Sequence, residues 1–392
     1  MRPKVVITGM GVVSALGIGQ RQNCNALKEA IPGIRNPRFL PTDLHDFPVG
    51  EVLLGNEELR QSLQLPADMP FSRTELLGVT ALKEALEQSK LLNHKGLCFI
   101  SGTTVGGMDV TEQYFPNPVP NLIRDVHDCG ACTNNIADCF DCFDSTATVS
   151  TACSSALNAL IMGKLMIESG ERDIVVAGGA EALTRFHFNG FKSLMILDKQ
   201  VCRPFDKHRA GLNLGEGAAY LVLEREESAL SRGAEILGVL SGAGNACDAH
   251  HQTATSADGQ GAFLAMSQAL EDAGLSPEDI DYVNAHGTGT PNNDETESAA
   301  LKRVFAVKVP PVSSTKCYTG HTTSASGSIE VVFCLLALQE AFLPVQFNFE
   351  NVDEQCVVPV SKKLSLPSLK HLMCNAFGFG GNDSSVILSR YE

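Results

Sequence analysis

TATVSTACSSALNALIMGKLMIESG (146–170) passes from a β-rich run, Thr146 to Ser150, through five small residues into a helical pattern. Leu157, Leu160, Ile161, Leu165 and Met166 recur at a spacing that predicts one apolar face, and Gly170 marks the stop. A strand that turns at once into a helix is the repeating unit of a layered α/β fold. It also leaves one thiol, Cys153, at the turn between them.

The same alternation extends in both directions. VVITGMGVV (5–13), LCFISGTTVGG (97–107), DIVVAGGAEAL (173–183) and AAYLVLE (218–224) read as buried strands. Later come IDYVNAHGTGT (280–290), VPPVSSTKC (309–317) and HLMCNAFGFGGNDSSVILS (371–389). Apolar runs of this length suit strands covered on both faces. Residues 261–275 and 328–342 carry helical periodicity. Residues 41–72, rich in Pro, Asp and Leu, read as an irregular excursion, and 227–233 as a hinge between two halves.

A chain of 392 residues accommodates two domains or one doubled domain. The 45 acidic against 30 basic residues, a net charge of −15, argue against a general nucleic-acid binder. The N-terminus runs straight into a β-rich segment without signal-peptide character, and no apolar run is long enough to span a bilayer. A cytoplasmic protein is expected. Thirteen cysteines fit free thiols in a reducing compartment better than a disulfide framework.

Cys129, Cys132, Cys139 and Cys142 spell CxxC…CxxC, the pattern of a sulfur-ligated metal or redox-sensing site. Six residues between the hooks are few for two facing knuckles, and Cys139 and Cys142 have helical i, i+3 spacing. Packing side chains are the competing reading. Cys153 sits where unpaired N–H groups and the positive end of a helix favour thiolate. His286, in AHGTGTPNND, and His321, in SSTKCYTGH with Lys316, each follow a predicted strand in a Gly/Thr-rich turn. Strand C-terminal ends are where open α/β sheets hold their sites.

TACSSA, NAHGTGTP, STKxxxGH and NAFGFGGND, in that order, resemble the signature set of the β-ketoacyl-acyl carrier protein synthases, elongating type I/II branch. The likeness runs from VVITGMGVVS, through CRPFDKHRAGLNLGEGAAYLVLE (202–224), to the last strand. It implies a thiolase-like α/β fold: two similar βαβ-based halves, residues 1–230 and 231–392, stacked as five layers, α-β-α-β-α, in a homodimer. A heterodimer with a nucleophile-free homologue is left open.

Mapped onto this family, Cys153 is the nucleophile, and His286 and His321 serve the decarboxylation of malonyl-carrier protein. Lys316, paired with Glu330, orients the histidines. Backbone N–H groups of Cys153 and Phe377 are the expected oxyanion donors. Thr288 and Thr290 resemble the residues that hold the phosphopantetheine arm, and Phe377, Gly378 and Phe379 match its gate. Asp294 and Glu297 are taken as structural. Met108 is expected beside the acyl pocket, Arg203 as a brace, and Lys207 and Arg209 as contacts for an acidic carrier protein. No cofactor or metal is implied. Ala210 and the Asn before Asp294 depart from the family pattern, as do residues 113–145, pointing to a specialised synthase, for instance of a polyene. A degradative thiolase would need a second cysteine in a CxG setting, and Cys374 precedes Asn-Ala-Phe instead.

Overall fold

The computed structural model describes residues 2–66, 70–117, 119, 121, 125–364 and 368–392. Its strands are β1 (Val5–Ser14), β2 (Gly17–Ile18), β3 (Leu97–Gly102), β4 (Phe143–Val149), β5 (Ile174–Glu181), β6 (Gly217–Arg225), β7 (Gly238–Cys247), β8 (Tyr282–Asn284), β9 (Val312–Ser313), β10 (His371–Gly378) and β11 (Asn382–Ser389). In space they run β4-β3-β5-β6-β1 and then β7-β11-β10-β8-β9, with β2 beside β1. With β2 set aside, and counted by appearance within each half, both halves have the order 3-2-4-5-1. Each has two parallel pairings followed by two antiparallel ones. Between the strands of the two halves, the described residues pair at Val6 with Val239 and Ile7 with Gly238.

Helices complete the layers. α1 (Arg73–Ser89) packs on β1, β5 and β6; α2 (Met108–Tyr114) lies near the surface, and α3 (Cys129–Asp138) joins α1 on that outer face. α4 (Ser155–Glu168) and, after the surface helix α5 (Arg185–Ser193), α6 (Gln260–Ala273) and α7 (Pro291–Val304), comes α8 (Ser326–Glu340). α4 and α8 each touch strands of both halves, while α6 covers β7 and β11 with α7 beside it. The result is five layers.

The central layer explains its own sequence. Every residue of α8 from Ser326 to Leu338 is buried, so the helix is covered on all sides rather than along one stripe. Leu157 and Leu160 of α4 join α8 and both sheets in the main core, each contributing about 1.5–3 kcal/mol. Leu165, predicted on the same face, is 56% exposed instead. With both broad faces of α4 covered by sheets, its remaining narrow edge carries Met162 and Leu165 outward.

α1 was not foreseen. Ser72 and Glu75 form a capping box, Ser72 Oγ accepting the Glu75 N–H and Glu75 Oε2 the Ser72 N–H at 2.6 Å. The helix approaches β1 so closely that a Cβ on Gly9 or Gly11 would stand 2.5 Å from Ala85 O or 2.0 Å from Ala81 O. Residues 371–389 form a hairpin of two strands rather than one, reversing at Gly380 and Gly381, with φ of 85° and 79°. The 41–72 excursion is mostly irregular but contains the helix Asn56–Leu63.

Candidate active site

Cys153 follows β4 at a sharp turn. Ala152 takes φ 53°, in the left-handed region, and a single 3-10 turn, Ala152–Ser154, leads into α4. Ser155 Oγ accepts the Thr151 N–H at 2.9 Å and donates to Ala152 O at 2.6 Å, holding the turn shut. The thiol is 5% exposed.

His321 comes from the other half, after β9 and the helical turn Lys316–Thr319. Its Nε2 lies 3.1 Å from Cys153 Sγ. Its Nδ1 accepts the Thr323 N–H at 3.2 Å and lies 3.0 Å from Ser326 Oγ. A backbone N–H can only donate, so the proton of the neutral ring is on Nε2 and points at the sulfur.

His286 follows β8. Its ring stands 5.3 Å from that of His321, nearly perpendicular. Glu297 holds its backbone from behind, Oε1 accepting the His286 N–H at 2.9 Å and Oε2 the Gly287 N–H at 2.7 Å. Asp294 similarly accepts the Phe205 and Gly289 N–H groups. Both acids therefore sit where a structural role requires. Lys316 Nζ meets Glu330 Oε1 at 2.6 Å, the expected pair.

Burial holds both imidazoles well below their ordinary range, and the Lys316 charge pushes them further down. They are neutral donors. Cys153 departs from expectation. Burial raises its thiol to about 11, although Lys316 and the N–H groups of Phe379 and of Cys153 itself pull it down. Desolvation outweighs the helix end, so the resting thiol keeps its proton at neutral pH.

A cavity of about 340 Å³ contains Cys153, His286 and His321. Thr288, Thr290 and Gly378 line it, and Thr288 Oγ1 lies 2.9 Å from Thr290 Oγ1. A larger hollow of about 650 Å³ lies beside the Arg73–Glu216 ion pair, but its lining includes no thiol or imidazole. The chemistry belongs to the smaller one.

The two phenylalanines part company. Phe377 is buried in the core of the second half beside the His286 ring. Phe379 is 36% exposed and stacks on Phe191 at 5.7 Å, and its N–H, not that of Phe377, pulls the Cys153 thiol down. Met108 is also displaced: it lines a shallow depression with Phe115 and Phe186 and is absent from the lining of the Cys153 cavity.

Arg209 and Arg203 exchange places. Arg209 is buried, with Nη1 2.6 Å from Asp353, Nη2 2.7 Å from Glu295 and Nε 3.8 Å from Asp294, and is the brace. Arg203 is half-buried, and Lys207 is exposed. The sequence reading missed His187. It is buried at the start of α5 with its ring 6.3 Å from Phe191, and its charged form would lower His321 further. No glycine-rich turn marks it, and only the fold brings it near.

The clustered cysteines divide differently from the predicted helix. Cys129 and Cys132 lie on α3, Cys139 is its cap, and Cys142 precedes β4. Cys132 and Cys142 are packed with Phe99 and Tyr220 in the outer core. Burial pushes Cys129 and Cys142 up to about 11 and Cys139 to about 12. Among the described residues no three His, Cys, Asp or Glu side chains are grouped to hold a metal ion.

Comparison with known proteins covers nearly the whole chain. Residues 2–229 match the β-ketoacyl synthase N-terminal domain and residues 237–350 its C-terminal domain. A 3-oxoacyl-[acyl-carrier-protein] synthase 2 of Vibrio cholerae is 34% identical over 99% of both chains. The ishigamide ketosynthase/chain length factor superposes with a TM-score of 0.92 at 33% identity, covering all of both chains. A ketosynthase bound to a hexaketide and in complex with a type II polyketide acyl-carrier protein has a TM-score of 0.86 at 26% identity, again over both full chains. The doubled strand order is thus the thiolase-like fold of these enzymes, and this chain belongs to the β-ketoacyl synthase family.

Proposed function

We propose that this protein is a 3-oxoacyl-carrier protein synthase. It is an acyltransferase that joins an acyl chain held on Cys153 to malonyl-acyl carrier protein with loss of carbon dioxide. The observation that carries this reading is Cys153 Sγ 3.1 Å from His321 Nε2, with the His286 ring beside them in one cavity.

In the first step the Cys153 sulfur attacks the acyl thioester. The His321 Nε2–H and the Lys316 charge stabilise the thiolate as it develops, and the thiol proton leaves with the pantetheine sulfur. The N–H groups of Cys153 and Phe379 take the oxyanion, a contribution of about 3–4 kcal/mol per donor. In the second step His286 and His321 donate to the malonyl thioester carbonyl. The C–C bond to the carboxylate breaks, carbon dioxide departs, and its bonding electrons form the enolate. That carbon attacks the acyl-Cys153 carbonyl and expels the thiolate, giving a 3-oxoacyl chain two carbons longer. Two neutral donors suit this step, because a cationic imidazole would protonate the carbanion. The electron balance calls for no redox group.

Thr288 and Thr290 hold the pantetheine arm, and Lys316 with Glu330 positions the histidines. We assign residues 1–230 to the half carrying the nucleophile and 231–392 to the half carrying the histidines. The protein works in the cytoplasm as a homodimer, in fatty-acid or specialised polyene or polyketide synthesis. β4, a half-exposed strand at the outer edge of its sheet, supports pairing with a second chain. The chain length factor beside the ishigamide ketosynthase favours a heterodimer as the second reading.

Intact-mass analysis after incubation with acyl-carrier protein tests the assignment. The acyl adduct should appear on wild-type protein and on Cys139→Ala but vanish in Cys153→Ala. An adduct surviving in Cys153→Ala would sink it.

A further inference from the structure

A cluster of amide and hydroxyl side chains crosses the seam between the halves directly behind the nucleophile. Asn382 opens β11 immediately after the Gly378–Gly381 turn. Its Oδ1 lies 2.7 Å from Ser154 Oγ, 2.7 Å from Asn158 Nδ2 and 3.0 Å from Asn245 Nδ2. The Asn158 and Asn245 amide groups can only donate, so an acceptor is required there, which orients the Asn382 amide. The single Ser154 hydroxyl hydrogen is shared between Asn382 Oδ1 and Thr151 O, also at 2.7 Å. Ser154 adjoins Cys153, Asn158 is in the first turn of α4, and Asn245 lies on β7. Asn158 Nδ2 also reaches Thr151 Oγ1 at 2.9 Å, while its Oδ1 accepts from Ser384 Oγ at 2.7 Å.

The network therefore grips the nucleophile's turn at Thr151 and Ser154, on both sides of Cys153. It does so from a strand that begins three residues after Phe379. The spacing there is tight, since a Cβ on Gly378 would stand 2.8 Å from Thr151 O. The two backbone N–H groups that pull the Cys153 thiol down, its own and that of Phe379, come from opposite halves. An oxyanion site assembled across a seam works only if the gap between its donors is fixed.

We propose that Asn382 is a positioning residue that sets the separation between the Cys153 and Phe379 N–H groups. The inference rests on the reading of Cys153 as the acylated nucleophile. Asn158 is half-buried and Asn245 exposed, so their freed amides can be hydrated, while the buried Ser154 hydroxyl keeps Thr151 O at 2.7 Å as acceptor, and the fold survives.

Two reactions of one thiol provide the test. Single-turnover acyl transfer from acyl-carrier protein forms an oxyanion. Alkylation of Cys153 by iodoacetamide is a displacement that forms none. Asn382→Leu should slow acyl transfer about tenfold or more, while alkylation, which loses only the thiolate stabilisation those N–H groups supply, slows far less. Asn382→Asp, which keeps an acceptor at the same place, should restore most of the transfer. Acyl transfer at the wild-type rate in Asn382→Leu would overturn the proposal, as would an equal loss of both reactions. Should the leucine variant fail to fold, Asn382→Ala must show the same one-sided loss. Wild-type protein that takes up no acyl group would instead overturn the reading of Cys153, and this one with it.

Discussion

Lys316 and Glu330 form a 2.6 Å ion pair whose side chains are 1% and 3% exposed, at the centre of the molecule and beside both histidines. Burial pushes the Glu330 carboxyl up to about 7 against the pull of the lysine. The pair is held where charge is costly, which makes it sensitive to the loss of either member.

Glu330→Leu should destabilise the fold by about 3–5 kcal/mol, because it strands a buried ammonium. The double change Lys316→Met, Glu330→Leu should recover much of that loss. Denaturant unfolding of the two single variants and the double variant measures the coupling. Additive losses would show that the two side chains act independently.

Lys316→Met should make Cys153 harder to ionise, since the lysine charge lowers a thiol already raised to about 11. At a fixed alkaline pH its alkylation slows. The same change lets both imidazoles rise toward their ordinary range, because the charge holds them down. NMR titration of the histidines should show both shifts moving toward neutral pH. No movement would remove Lys316 from the electrostatics of the site.

Acidification should weaken the fold through these histidines. Their folded forms stay neutral while the unfolded imidazoles take protons near their usual value of about 6.5, so their contribution is lost as pH falls below that point. Glu297 and Glu330, raised to about 7, act with the opposite sign, favouring the fold at low pH and losing that contribution as pH rises from the unfolded carboxylate range through about 7. A comparison that cancels the acids is therefore needed. The stability of wild type relative to His286→Asn, His321→Asn should decline between about pH 7.5 and 5. A constant difference would contradict the neutral assignment.

Phe377→Ala and Phe379→Ala should separate cleanly. The first empties a core position and costs about 3–5 kcal/mol of stability. The second removes a half-exposed ring from the cavity wall, lowering acyl transfer by about tenfold with a much smaller shift in unfolding. The reverse outcome would return the gate to Phe377.

Most of the layered architecture was legible because buried strands and helices leave continuous or periodic apolar runs, as in β5, β6 and α8. β7 was not, since Gly238, Gly242 and Gly244 break its pattern to let α6 approach, with Ala269 O and Ala265 O against two of them. The chemistry of Cys153, His286 and His321 could be placed from motif order. Depth could not. Whether Arg209 meets solvent or three carboxylates, whether Phe377 or Phe379 is the more exposed ring in the cavity wall, and whether Cys153 is a thiolate all depend on what lies above each residue. That is a property of the assembled halves, and no local spacing encodes it.

The deeply buried central layer also bears on how the chain is made. Translation supplies residues at roughly 5–20 per second, so α4 leaves the ribosome long before α8 and β11, which pack on it, exist. In that interval Leu157, Leu160 and their neighbours lack the burial partners that α8 and the second half supply. The nascent chain is most prone to stick to other chains in that interval, and a chaperone bound to it then should raise the yield of folded protein.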